Sequence, residues 1–503
     1  VTVELPVALR RPSAASLEPT WNRTVTTGLV ALAVVASVTS GYGILTGSSR
    51  LAVLPLAAVV GLALVFVAAT RFSWFILLLL AIRAGTDALK LSGSDAGSTA
   101  SNTVSARGLD PSSIIGVLFL VFALLWLAAS FYAHGSRNFS SVSTMLVALL
   151  AAGAFSVLGS SHVQASVLQL ARLTSAVMMY LVLERLIVDR RMLRRVLAAC
   201  FVSLVVPLGY TVVGLLTGDA SAEVKGGFTR LTGTFTQSND YARYLCFLVL
   251  LGVAVLPYVS RSSKRLLAPL LAVAGVFLLM TLTLGAIGAT AAGMVLIALL
   301  QRRYGLLGLL VVAGIGAVVL APGLLGRLTE STTGSELGGG ATGNSLSWRL
   351  GYWASLLTIN KNNPITGIGL NATQYYTESA KQPHNDYLQA YVETGIVGLL
   401  AYLGLIVAML VVTARAVRRT QRGTLEWGVA GGALVCVVMF AVMSVAANVI
   451  QSVAIFWYVL AITACASAAG SLAARESRSG VGPAAGTTAG TPTARVEPAH
   501  APA

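Results

Sequence analysis

Charge is what this chain lacks most. Of 503 residues only 10% are Asp, Glu, Lys or Arg, and just 18 are acidic. Soluble domains carry roughly 25% charged residues. With 56% hydrophobic residues and a mean hydropathy of +0.81, the chain has more apolar surface than a water-soluble core can hide. It reads as an all-α polytopic membrane protein. Other shortages exclude chemistries. The four cysteines, Cys200, Cys246, Cys436 and Cys465, all lie inside apolar runs, which argues against a disulfide or metal framework. No polar segment pairs carboxylates as Asp-x-Asp or clusters His, Cys and acids at ligand spacing, so the expected metal is none. There is no Gly-x-Ser-x-Gly elbow, P-loop or dinucleotide fingerprint, and no cofactor is expected. The net charge of +16 invites a nucleic-acid reading. The basic residues sit instead in short clusters between apolar runs, as in cytoplasmic loops, so no nucleic acid is expected.

A membrane helix needs roughly 20 apolar residues. The chain offers about fourteen such runs, near 24–46, 51–69, 72–89, 112–133, 142–160, 164–187, 193–217, 240–259, 266–284, 285–301, 304–321, 390–414, 427–446 and 449–470. The first lacks a clear cleavage site and reads as a retained helix. The pair within 266–301 could be one long span. With residues 1–23 in the cytoplasm, the positive-inside rule gives the cytoplasmic links Arg71, Arg137, Arg185 with Arg190–Arg195, Arg261–Arg265, Arg302–Arg303 and Arg415–Arg422. A single span over 266–301 would reverse this pattern after it, so charge favours two spans. The expected layout is a cytoplasmic segment 1–23, eleven helices over 24–321, a large extracytoplasmic loop 322–389, three helices over 390–470 and a disordered cytoplasmic tail 471–503. Both termini would be cytoplasmic in a bacterial plasma membrane.

Polar signatures concentrate in two outer segments. In 218–239, Lys225 and Arg230 precede a helix expected to start near Asn239, with Arg243 one turn further on. A helix N-terminus beside a guanidinium suits a phosphate, although headgroup-level cations would give the same pattern. The larger loop holds Arg327, then Trp348-Arg349 and Trp353, then the run Asn363-Pro-Ile-Thr-Gly-Ile-Gly369, and then His384-Asn385-Asp386-Tyr387 followed by Glu393. Aromatics flanking Arg349 look like an interfacial helix. His384 stands at the start of a membrane helix and has the titration range of a general base. A lone histidine is also commonly structural. An enzyme outside the membrane has no ATP to draw on, so its donor must arrive activated, for example as a lipid-linked pyrophosphate.

These residues resemble the signature of the bacterial O-antigen ligase and O-antigen polymerase superfamily. The resemblance rests on Trp348-Arg349, on Asn363 to Gly369, on His384 to Leu388, and on Glu393-Thr-Gly395-Ile-Val-Gly398. Gly233-Thr-Phe with Ser238-Asn239 is similar to an earlier outer-loop motif, with serine where proline is usual. The resemblance implies a multi-helix glycosyltransferase of the lipid-donor (GT-C) type. Such an enzyme takes a glycan from an undecaprenyl-pyrophosphate carrier, without metal, inverts the anomeric centre, and hands the glycan to a glycan or glycolipid acceptor. It implies that Arg230 and Arg349 contact the pyrophosphate and that His384 acts on the acceptor hydroxyl. Lys225, Asn239, Arg243, Arg327, Trp353, Asn385, Tyr387 and Glu393 are the further substrate-binding candidates. One departure is plain: where the family carries a Ser-Arg-Gly-like motif, this chain reads Thr281-Leu-Thr-Leu-Gly285-Ala-Ile-Gly288. Arg327 is a candidate substitute cation. The motifs do not separate polymerase from ligase. A high-GC, Gram-positive composition favours a polymerase or a ligase acting on an acceptor other than lipopolysaccharide. The rival from another class is a lipid-linked oligosaccharide flippase or other transporter, which should show charges along a central path and repeat symmetry. A non-catalytic membrane scaffold is a second rival.

Overall fold

Broken helices set the architecture. The computed structural model describes residues 37–39, 49–89, 111–134, 139–225, 227–320, 323, 326, 345–377 and 382–479. The expected first span apart from residues 37–39, the 90–111 link apart from Pro111, and the tail beyond Ser479 lie outside them. We number the helices α1 (Ser49–Thr70), α2 (Phe72–Ile82), α3 (Pro111–His134), α4 (Ser141–Leu158), α5 (Val163–Leu186), α6 (Arg190–Val202) and α7 (Val205–Thr217). Then come α8 (Ser238–Val255), α9 (Arg261–Met280), α10 (Leu284–Gln301), α11 (Gly305–Leu320), α12 (Ser345–Ile359), α13 (Asp386–Arg419), α14 (Leu425–Met443) and α15 (Val453–Ser479). Among the described residues, 10 helical segments are long and apolar enough to cross a membrane, with α6 and α7 together forming one of them. The only sheet among them is a hairpin of β1 (Ala222–Lys225) and β2 (Phe228–Leu231), with Glu223 opposite Arg230. It falls in a segment that reads as loop, because strands of four residues carry too little alternation to detect.

Several boundaries move relative to the hydropathy reading. The run 72–89 stops being α-helical at Ile82 and ends in a 3-10 turn, Thr86–Leu89. The run 390–414 begins earlier, at Asp386, and continues to Arg419; the last helix runs on to Ser479. Polar residues extend a helix beyond hydrocarbon without registering as apolar. The segment 266–301 is two helices, broken at Thr281–Thr283, where Leu282 takes a positive φ of 50°. They fold back on each other. Gln301, at the end of α10, donates its amide at 2.9 Å to the carbonyl of Ala254, which lies at the end of α8, the end from which the chain passes into α9. The charge pattern that favours two spans agrees with this hairpin.

The bundle has two chemically different ends. Arg190 bridges Glu426 at 3.0 Å and Glu476 at 2.9 Å, tying the starts of α6 and α14 to the end of α15. Arg185 lies 3.8 Å over the Phe131 ring and Arg195 5.3 Å over Trp74. At the other end lie the β-hairpin, the 281–283 turn, the starts of α8 and α13, and the turn Ser444–Ser452 between α14 and α15. A long apolar core joins them, with Trp457, Tyr180, Tyr241, Tyr244 and Tyr402 fully buried. A smaller cluster, Tyr352, Leu356, Ile368, Ala372 and Val392, docks α12 on the first turns of α13. Tyr352, Leu356 and Ile359 recur at helical spacing, so α12 presents one apolar stripe to this cluster.

Candidate active site

The site is built around a break in α13. Gly395 has φ 69° and ψ −169°, a backbone shape that essentially only glycine adopts. A Cβ there would stand 2.0 Å from Ile365 O. The break strips carbonyls and an N–H of their helical partners, and such groups must be satisfied. The run Asn363–Gly369 does this. Ile368 N–H donates to Val392 O at 3.0 Å, Gly369 N–H to Glu393 O at 3.0 Å, and Ile396 N–H to Pro364 O at 2.9 Å. The strap also crosses so closely that a Cβ on Gly367 would lie 2.3 Å from the Glu393 carbonyl carbon. The spaced glycines of both motifs therefore let two backbones touch.

Upstream of the break, Asn385 caps α13: its Oδ1 accepts from Leu388 N–H at 3.0 Å. His384 immediately precedes the cap at φ 50°, an uncommon shape for a residue with a side chain. Its surroundings hold it there. Its N–H donates to Asn448 Oδ1 at 2.7 Å, and the Trp353 indole N–H donates to Pro383 O at 2.7 Å. Asp386 N–H donates to Ser444 O at 2.8 Å, while its carboxylate accepts from Val449 N–H at 3.0 Å. Tyr387 gives its hydroxyl proton to Ala441 O at 2.8 Å.

The Ser444–Ser452 turn also reaches the first arginine. Arg349, on α12, donates from Nη1 to Ala446 O at 3.3 Å. Burial, and then the charge of Arg243, hold its pKa below the ordinary guanidinium value. Arg243 sits on α8 with Nη1 3.0 Å from Asp240 Oδ1, its side chain 11% exposed. Two guanidinium groups in electrostatic range of each other suit an oxyanion with more than one charge.

Arg230 lies deeper, its side chain 3% exposed. Its Nε donates to Thr281 O at 2.9 Å, and Nη2 donates to Asn239 Oδ1 and Thr283 Oγ1, both at 2.8 Å. Nη1 stands 3.5 Å from Glu223 Oε1. Arg230 thus occupies the 281–283 turn. It also pins Asn239, whose neighbour Asp240 holds Arg243. Lys225 ends β1, and Arg327 lies outside the described residues.

Glu393 is buried, and its carboxylate accepts from Asn371 N–H at 2.8 Å, the Thr373 hydroxyl at 2.9 Å and Gln389 Nε2 at 3.0 Å. Gln389 Oε1 in turn accepts from Asn448 Nδ2 at 2.5 Å. A line of amides therefore runs from the His384 backbone to Glu393. Nothing in the sequence reading flagged Asn448, Gln389, Gln382 or Asn371. The one available signal was that Asn448 is a polar residue in the short link between the runs 427–446 and 449–470, with Gln451 just inside the second.

Residues 269–403 match the family model described as O-antigen ligase (Wzy_C). This part of the chain, from within α9 past the break in α13, carries the O-antigen ligase and polymerase superfamily's signature. It contains the 281–283 turn, Arg349, the 363–369 strap, His384 and Glu393. Arg230, Arg243 and the Ser444–Ser452 turn lie outside the match. No curated protein matches the chain.

Proposed function

We propose that this membrane enzyme of O-antigen ligase/polymerase type moves a glycan from an undecaprenyl-pyrophosphate carrier to an acceptor hydroxyl on the extracytoplasmic side. The acceptor oxygen attacks the anomeric carbon opposite the pyrophosphate, which inverts that centre. The bond from the anomeric carbon to the pyrophosphate oxygen breaks, and its electron pair leaves with the carrier. His384 takes the acceptor's proton, a role worth about 10²–10⁴-fold in rate. Arg349, with Arg243 beside it, meets the developing negative charge; a fixed donor of this kind contributes roughly 10²–10³-fold. Arg230 completes the anion site by holding Asn239 and the 281–283 turn. No metal is needed, because a pyrophosphate leaves readily once cations stabilise it.

One observation carries the reading. The Ser444–Ser452 turn holds the His384 backbone, the Asp386 backbone and carboxylate, and the Arg349 side chain, which supports a base and a cation acting together. The outward orientation is supported by the arginine clusters at the opposite end of the bundle.

The test is to place purified protein in vesicles with a lipid-linked glycan and follow the products. A ladder of lengths identifies a polymerase, and a single transfer to a second molecule identifies a ligase. Movement of intact donor across the bilayer without transfer would replace this reading with the flippase. Added EDTA is expected to leave the rate unchanged; loss restored by a divalent ion would overturn the metal-free step.

A further inference from the structure

Beside the amide line lies a group of rings that the transfer chemistry does not use. His162, at the start of α5, stacks on Tyr375 with ring centroids 4.3 Å apart and meets Tyr376 edge-on at 5.6 Å. Tyr375 is 42% exposed and Tyr376 39% exposed. Exposed tyrosines are common at a membrane surface. Three features set these apart.

The first is rigidity. The 3-10 turn Thr373–Tyr375 is tied by the Thr373 hydroxyl to buried Glu393 and carried on the 363–369 strap. Ser166 Oγ, on α5, donates to Leu370 O at 2.8 Å, which fixes His162's helix against the same strap. The rings are therefore positioned before any ligand arrives, and that lowers the entropic cost of binding.

The second is the neighbouring chemistry. Asn371 Oδ1 accepts from Gln382 Nε2 at 2.7 Å and Gln451 Nε2 at 3.3 Å, and Gln374 Nε2 points at Asn371 O at 3.4 Å. These are neutral side chains that both donate and accept. A pyranose ring presents an apolar C–H face edged with hydroxyls. Aromatic faces cover the first, and the buried, mutually bonded amides of Asn371, Gln374 and Gln382 stiffen the shelf that carries them. A lipid phosphate would call for cations instead.

The third is position. Gln382 is two residues before His384, so this shelf adjoins the place where the acceptor hydroxyl must lie. We propose that His162, Tyr375 and Tyr376 form a carbohydrate subsite that stacks a sugar ring of the acceptor glycan. This rests on the transferase reading for its role, though not for the binding itself.

The test compares wild type, the double variant Tyr375→Ala/Tyr376→Ala, and Tyr132→Ala. Tyr132 is 96% exposed on α3 and serves as the surface-tyrosine control. With the lipid-linked donor and an oligosaccharide acceptor, the double variant should show a KM for acceptor raised about tenfold, with kcat within about twofold. Tyr132→Ala should match wild type. An unchanged acceptor KM in the double variant overturns the subsite. Binding of the free oligosaccharide, read by saturation-transfer NMR in detergent, separates the two hypotheses. If wild type binds sugar, the double variant does not, and neither transfers glycan, the subsite stands and the transferase reading falls. If wild type shows no saturation transfer, the subsite is wrong.

Discussion

The two ends of this bundle use arginine in opposite ways. At one end Arg190 is half exposed and bridges two glutamates across helix ends. At the other, Arg230 and Arg243 are nearly buried, and their hydrogen bonds run to a turn, an asparagine and an aspartate. An exposed cation costs little and can be moved by a rotamer change. A buried one must be paid for by fixed partners, and that fixes where its charge stands. A cation count would rank the first end as the binding surface. The proposed site lies at the end with fewer charges, where Arg230 and Arg243 are each held by fixed partners.

The sharpest way to break the contrast is His384→Ala. Transfer should fall about 10²–10⁴-fold while the detergent-solubilised protein keeps its melting temperature; near wild-type turnover would remove the base role. Arg349→Lys should come next, losing about 10²-fold in kcat, since an ammonium does not reproduce a guanidinium fork. Wild-type rates there would show that Arg349 is only an anchor for α12.

Asn448 tests whether the turn positions the chemistry or merely closes the fold. Asn448→Leu removes the acceptor for His384 N–H and should lower kcat about tenfold or more with little change in donor KM. Asn448→Asp keeps that acceptor but loses the bond to Gln389 Oε1, so part of the rate should return. Equal loss in both variants would leave Asn448 a packing residue. Gly395→Ala places a methyl against Ile365 O in a backbone shape alanine avoids. It should cost about 1–3 kcal/mol, read as a lowered melting temperature with loss of activity. The smallest effect is expected at the far end. Arg190→Ala removes an exposed pair with Glu476, worth less than about 1 kcal/mol, and a second with buried Glu426, and transfer should be unchanged. A large loss there would mean the two ends are coupled.

Hydropathy alone made the chain a membrane bundle, since apolar runs of this length leave the backbone no alternative to helix. The same reading singled out His384, Arg349 and Arg230, because polar residues are conspicuous in so apolar a chain. It gave no view of the β-hairpin or of Asn448, which are local or isolated and leave no periodic trace. Glu393 and Tyr387 stood out equally well. In the fold their polar groups are spent on the chain's own donors and acceptors.

Composition and periodicity thus determined the solvent this chain lives in, its helices and the short list of unusual polar residues, because each of these is a property of neighbours in sequence. Which of those residues meet, and which merely hold others, was decided by contacts between segments far apart in the chain. The Ser444–Ser452 turn reaches back about sixty residues to His384 and about a hundred to Arg349, and only folding sets such a distance.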